Sequence, residues 1–201
     1  PMRKMKPLPT TREALGLPSD KHILILQGSG INIHRGSEEL VSAMKYLDNC
    51  ILLIIGGGDV LPLLKKEVAD NHYEDRVRFF PRMPYKDMMA ITRLAELGFT
   101  LDKPNNLNYL FSLPNKLFDY IQANVPIIAS HLPEIERIIR NYNIGAFIDD
   151  HDPLTIARTI KDVISDEKTL LTWKNNLTFA AKDLCWENEE KILMKIYEQY
   201  I

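Results

Sequence analysis

The chain has 201 residues, with 25 Lys and Arg against 27 Asp and Glu, a net charge of −2 and 45% hydrophobic side chains. That composition suits a folded domain with a substantial core, and the charge excludes a general polyanion binder, since nucleic-acid domains carry a basic excess. A local basic site for one diphosphate stays open. The two cysteines, Cys50 and Cys185, form no CxxC pair, so they point to neither a disulfide framework nor a zinc site, and they suit a reducing compartment. No apolar run approaches the roughly 20 residues that cross a bilayer, and no signal pattern opens the chain. The expectation is a cytoplasmic chain, neither exported nor membrane-spanning.

Residues 1–20 are basic, Pro-rich and without a strand, and read as a lead-in from a preceding domain. After them, short apolar runs alternate with segments of helical period, the pattern of a parallel sheet covered on both faces. Six strands are expected, around Ile23–Leu26, Ile51–Ile55, Val77–Phe80, Leu97–Leu101, Pro126–Ala129 and Gly145–Ile148. The crossover helices fall at Ser37–Leu47, Val60–Asn71, Tyr85–Leu94, Asn115–Asn124 and Pro133–Arg140, each with apolar residues at three- and four-residue steps. Beyond the sixth strand the pattern is helical throughout: Pro153–Ile164, Glu167 to about Asp183, and Glu187–Tyr200. The fold class is therefore α/β, a doubly wound Rossmann-like sheet over residues 21–186, with residues 187–201 as a C-terminal helix.

Such sheets bind ligands beyond the carboxyl ends of their strands. The first strand is followed by Gln27-Gly28-Ser29-Gly30 and then His34-Arg35-Gly36. Glycines let backbone N–H groups approach a ligand, and an Arg at a helix start pairs with phosphate. Plain turn-forming glycines explain this segment equally well. The second strand ends in Gly56-Gly57-Gly58-Asp59, either a close-approach surface for a ribose or base, or a loop of positive φ. The dinucleotide fingerprint GxGxxG fails because Ile33 stands at its third glycine.

The segment from Tyr109 to Pro126 carries the most information. Pro114-Asn115 reads as a loop ending in an N-cap at Asn115, which leaves the N–H groups of Lys116, Leu117 and Phe118 free to bind an anion. Lys116 adds a charge, and Asp119, three residues on, shares its face and could accept from ribose hydroxyls. From the residues alone, a capped helix with a surface Lys116–Asp119 pair is the competing explanation.

The stretch Ser112-Leu-Pro-Asn-Lys-Leu-Phe-Asp-Tyr-Ile-Gln-Ala-Asn-Val-Pro-Ile-Ile-Ala-Ser130 closely resembles the donor-site helix of GT-B glycosyltransferases of the retaining group 1, or family 4, type. That group includes sucrose synthases and bacterial polysaccharide transferases, and it typically shows SLPNKLFEY, a small-residue turn and PVIAS. Gln27-Gly28 with Arg35-Gly36, the Gly56-Gly57-Gly58 loop and Trp186-Glu187 agree in order and spacing with that group. The resemblance implies the donor half of a transferase for nucleoside diphosphate sugars in polysaccharide or glycoconjugate synthesis. It also implies an acceptor domain ahead of residue 1, through which the full-length enzyme could associate peripherally with a membrane. It further implies that Arg35 and Lys116, with Gly28, Ser29, Pro114 and Asn115 around them, hold the diphosphate. Asp119 would bind ribose, and Gly57, Gly58 and the Met83-Pro84 backbone would flank the base.

Four positions depart from the family pattern. Ser29 replaces an Arg, Phe111 replaces the first Glu, Asp119 replaces the second Glu, and Asn124 stands at a turn glycine. No catalytic residue is assigned, and no cofactor, metal or nucleic acid is expected. The alternatives are a non-catalytic nucleotide- or phosphate-binding module and, against the failed fingerprint, a dinucleotide oxidoreductase.

Asp149-Asp150-His151-Asp152 resembles a metal-binding DxD, but before Pro153 it reads as an N-cap. His131 is expected to be a solvated loop residue, Trp173 and Trp186 to be core packing, and Arg78, Arg82 and Lys86 to be a solvated rim.

Overall fold

A computed structural model describes residues 10–200. Residues 1–9 of the expected lead-in lie outside the described residues. From Thr10 onward the chain meets the domain: a short 3-10 turn at Glu13–Leu15 leads to Leu17, which is buried in the core, and Arg12 pairs with Glu96.

The six expected strands are present as β1 (His22–Gly28), β2 (Cys50–Gly56), β3 (Val77–Phe80), β4 (Leu97–Thr100), β5 (Ile127–Ala129) and β6 (Gly145–Phe147). All are parallel, in the order β3-β2-β1-β4-β5-β6. The helices are α1 (Ser37–Ala43), α2 (Leu61–Asp70), α3 (Tyr85–Thr92), a short α4 (Leu107–Leu110), α5 (Asn115–Ala123), α6 (Pro133–Tyr142), α7 (Pro153–Ser165), α8 (Glu167–Asp183) and α9 (Trp186–Tyr197). Among the described residues α4 and the 3-10 turn at Glu13–Leu15 go beyond the expected elements, and the end of the expected first helix is a 3-10 turn at Met44–Tyr46. Asn106 creates α4 by accepting a hydrogen bond from Tyr109 N–H.

The β1 and β2 runs are apolar at nearly every position because both faces are covered. Leu24, Leu26, Leu52 and Ile54 face α1, α2 and α7. Ile23, Ile25, Ile51 and Leu53 face α3, α5, α6 and α8. Trp173 joins this core as expected, and its indole N–H donates to Asn143 Oδ1 at 3.3 Å. Trp186 does not: it stands at the first position of α9, a helix with no buried residue of its own, and is 44% exposed. Asp152 caps α7 through the N–H groups of Leu154 and Thr155, as its place before Pro153 requires.

The chain runs outward from β1 to β3, then returns to lay β4 against the other edge of β1. Their pairing covers only Leu24 with Leu97 and Ile25 with Gly98. Above it the fully buried Tyr120 of α5 puts its hydroxyl between the strands, accepting from Gln27 N–H at 3.3 Å within reach of the Ile25 and Phe99 carbonyls. Gly98 is required there, since a Cβ would lie 2.7 Å from the Tyr120 ring. The two strands therefore part at their carboxyl ends with their backbone groups satisfied, and the loops that follow them face each other across a cleft.

Tyr120→Phe removes the acceptor of a buried N–H and should destabilise the fold by about 1–3 kcal/mol in urea unfolding. A change below about 0.5 kcal/mol would contradict the wedge.

Candidate functional site

The β1–α1 loop, Ser29 to Gly36, forms one wall of the cleft. Gly28 and Gly30 take no left-handed φ, and a Cβ on either would make only ordinary contacts, the closest at 3.6 Å. Packing does not demand glycine at either place. Gly36 differs: φ is +77° and a Cβ would sit 2.3 Å from the Leu101 carbonyl. Only glycine lets the start of α1 rest on the backbone beside Asp102, which brings Arg35 against that carboxylate.

Asp102, two residues after β4, is fully buried, and its Oδ1 accepts from Arg35 Nε. Its Oδ2 stands 3.6 Å from Lys116 Nζ. The Arg35 guanidinium also reaches the Gly30 carbonyl and lies 5.0 Å from the centre of the Tyr109 ring, a cation–π contact supplied by α4. Asp102 is the residue that the sequence reading missed. Its signal, an acid at a strand end opposite Arg35 and Lys116, exists only once the sheet order joins β1 to β4.

One expectation about α5 is corrected, and the competing explanation of its Lys–Asp pair fails. Pro114, not Asn115, holds the N-cap position, and no side chain caps the first turn, because proline fixes an extended backbone there and has no side-chain acceptor; its carbonyl accepts the Leu117 N–H at 3.1 Å, so that N–H is not free as expected. Lys116 and Asp119 do not form a surface pair either. Lys116 is 13% exposed and turns to Asp102, while Asp119 is buried at 8% exposure. Asp119 accepts from the Tyr85 hydroxyl at 2.7 Å and from Gln27 Nε2 at 3.2 Å, and Thr92 donates in turn to Gln27 Oε1. Burial holds the Asp119 carboxyl above the usual aspartate range, against the pull of these two hydrogen bonds. Burial likewise pushes the Lys116 ammonium down; Asp102 opposes the fall and Arg35 adds to it.

Gly28, Ser29, Arg35, Pro114, Asn115 and Lys116 together line a cavity of about 200 Å³. An adjoining cavity of about 420 Å³ runs from Ser29 and Lys116 to Tyr85 and Asp119. Six of the eleven expected residues thus share one cavity, and Asp119 closes its neighbour.

The other four lie apart. Gly58 has φ +159°, and a Cβ there would fall 1.8 Å from the Ile31 carbonyl, so the positive-φ explanation holds for it. Gly57 ties the β2 loop to the β1 loop, donating to the Gly28 carbonyl and accepting from Ile31 N–H. Met83 packs partly on the core, and the exposed Pro84 starts α3. Arg82, read as a solvated rim residue, lies over Gly57 and donates to the Ser29 carbonyl at 2.6 Å.

Elsewhere along the strand ends, His131 stacks on Phe147 and meets Glu136, while His151 lies within hydrogen-bond reach of Ser130 and the Leu101 carbonyl. Phe111, at the family's first Glu, is 58% exposed. Among the described residues no group of three His, Cys, Asp or Glu is placed to hold a metal ion, and no helix is long and apolar enough to cross a membrane.

A doubly wound sheet with a cationic cleft at its switch point defines the class of an α/β phosphate- or nucleotide-binding domain. More specifically, residues 9–178 match the family described as glycosyl transferases group 1, and the chain belongs to it. It is 21% identical over 198 residues to a D-inositol 3-phosphate glycosyltransferase of Xylanimonas cellulosilytica, covering 94% of this chain and 45% of that protein. Sucrose-phosphate synthase from Thermosynechococcus elongatus superposes with a TM-score of 0.78 at 21% identity, covering 94% of this chain and 48% of its own. Anabaena HepE in complex with UDP-glucose gives 0.77 at 14%, covering 93% and 51%. The chain spans about half the length of these relatives, and its fold is that of one half of their structures.

The raised Asp119 carboxyl predicts a pH dependence of stability. The folded state holds this proton more tightly than the unfolded chain, so its contribution is complete below the ordinary value of 3.8 and is lost as pH rises through the folded value. Asp119→Asn cannot titrate. Its stability relative to wild type, measured by urea unfolding at stepped pH, should climb across that window. A pH-independent difference would contradict a buried, desolvated carboxyl.

Proposed function

We propose that the chain is the donor-binding half of a glycosyltransferase that moves a sugar from a nucleoside diphosphate sugar to an acceptor. The observation that carries this reading is the convergence of Arg35, Lys116 and the uncapped α5 N-terminus on one small cavity, beside glycines that packing does not require. Two side-chain cations and a helix N-terminus suit a diphosphate. Departure of that diphosphate concentrates negative charge on its oxygens, and preorganised cations lower the barrier to it. In this reading Arg35, Lys116 and the α5 N–H groups supply the neutralising charge. The cavity toward Asp119 and Tyr85 takes the ribose, with the Asp119 carboxylate accepting from its hydroxyls.

The half-length match to the relatives supports an acceptor domain elsewhere in the full-length protein. So does the run of exposed apolar residues on α9, including Ile192, Met194 and Ile196, which suits a covered surface. A reducing, cytoplasmic setting accords with two free, buried cysteines.

Titration calorimetry tests the reading. Nucleoside diphosphates should bind better than their nucleosides, more weakly at higher salt, and the 201 residues alone should show no transfer. Lys116→Ala removes a charge-assisted contact worth roughly 1.5–3 kcal/mol and should weaken diphosphate binding about tenfold or more, sparing nucleoside binding. Asp119→Asn should weaken both ligands alike. Equal losses for every ligand from both variants, or no loss with folding intact, would contradict the assignment.

A further inference from the structure

Asp102 plays no part in the contacts just assigned, yet it forms the floor between the two cations they use. It is fully buried, Arg35 Nε occupies Oδ1, and Oδ2 has no hydrogen-bond partner while standing 3.6 Å from Lys116 Nζ. A buried carboxylate with one unpartnered oxygen is costly unless the ion pairs around it repay the loss of water. Without it, two cations lining one small cavity would repel each other in a site of reduced dielectric.

We propose that Asp102 is the positioning residue of the diphosphate site, holding Arg35 and Lys116 side by side and both charged at the cleft wall. This rests on the diphosphate reading of the cavity. Lys116 is faced by Asp102 from the β4 end and by Arg35 from ahead of α1, while Asp119 on its own helix is engaged by Tyr85 and Gln27. Desolvation and Arg35 both favour neutral Lys116, and Asp102 is the opposing group. Arginine keeps its proton at any working pH. Neutralising Asp102 therefore acts on Lys116 and makes anion binding depend on pH.

The test is calorimetric titration of the chain with inorganic pyrophosphate between about pH 6 and pH 9. The probe's own ionisation is common to wild type and variants and cancels in their ratio. Asp102→Asn should bind within about threefold of wild type at the acid end, and its deficit should widen to about tenfold or more as Lys116 loses its proton. Asp102→Glu, which keeps the charge, should hold a constant ratio. Parallel profiles for wild type and a folded Asp102→Asn overturn the positioning role alone. Wild type that binds no pyrophosphate at any pH overturns the diphosphate reading and this role with it. A carbon-detected NMR titration of Lys116 in wild type applies even if the Asn variant does not fold: a charged ammonium at pH 7 supports the role, and a neutral amine overturns it.

Discussion

The cleft exists because β1 and β4 part after two paired residues, and one phenol makes that separation tolerable. Where buried strands part, their backbone groups need other partners, because buried N–H and C=O groups are nearly always paired. Here the Tyr120 hydroxyl accepts from Gln27 N–H beside the Ile25 and Phe99 carbonyls, and Gly98 clears the space for the ring. The same helix that carries this wedge begins five residues earlier, at Asn115, at the edge of the cavity that the wedge opens. Packing and site are thus two ends of α5. Leu117, Tyr120 and Ile121 bury one face, while Asn115 and Lys116 face the cavity.

Two buried carboxylates divide the electrostatics of the cleft. Asp102 sits between cations and has charges as partners; Asp119 sits among neutral donors, Tyr85 and Gln27, and burial dominates it. The cationic end of the cleft is thus built around a carboxyl group set between two side-chain cations, and the other end carries a carboxyl reluctant to ionise. Gly36 connects this arrangement to the backbone, since no other residue lets Arg35 approach Asp102 from the start of α1.

Much of this was legible in the sequence. Strand runs such as Ile51–Ile55 and helix periods such as Pro133–Arg140 appear within one or two residues of their expected bounds, because two-sided burial writes itself as uninterrupted apolar residues. The rule that ligands meet strand carboxyl ends pointed to the loop carrying Gly28 and Arg35, and the resemblance to the transferase family grouped these with Lys116. What was hidden depended on tertiary partners. A Lys–Asp spacing of three on a helix says nothing about Asp102 or Tyr85, which come from other elements and claim both side chains. Gly58 looked like a ligand-approach residue, but the Ile31 carbonyl fills the space beside it. Trp186 looked like core because it stands at helical spacing among apolar neighbours, and α9 leaves it exposed.

The central claim is spatial: the phosphates of a nucleoside diphosphate lie between the Gly28–Gly30 loop and the start of α5. A crystal structure of the chain soaked with a nucleoside diphosphate chosen from UDP, GDP and ADP tests it most directly. The account predicts phosphate density within hydrogen-bond distance of Lys116 Nζ, the Arg35 guanidinium and the first N–H groups of α5, with the ribose toward Asp119. Phosphates bound anywhere else, with this cavity left to solvent, would contradict it.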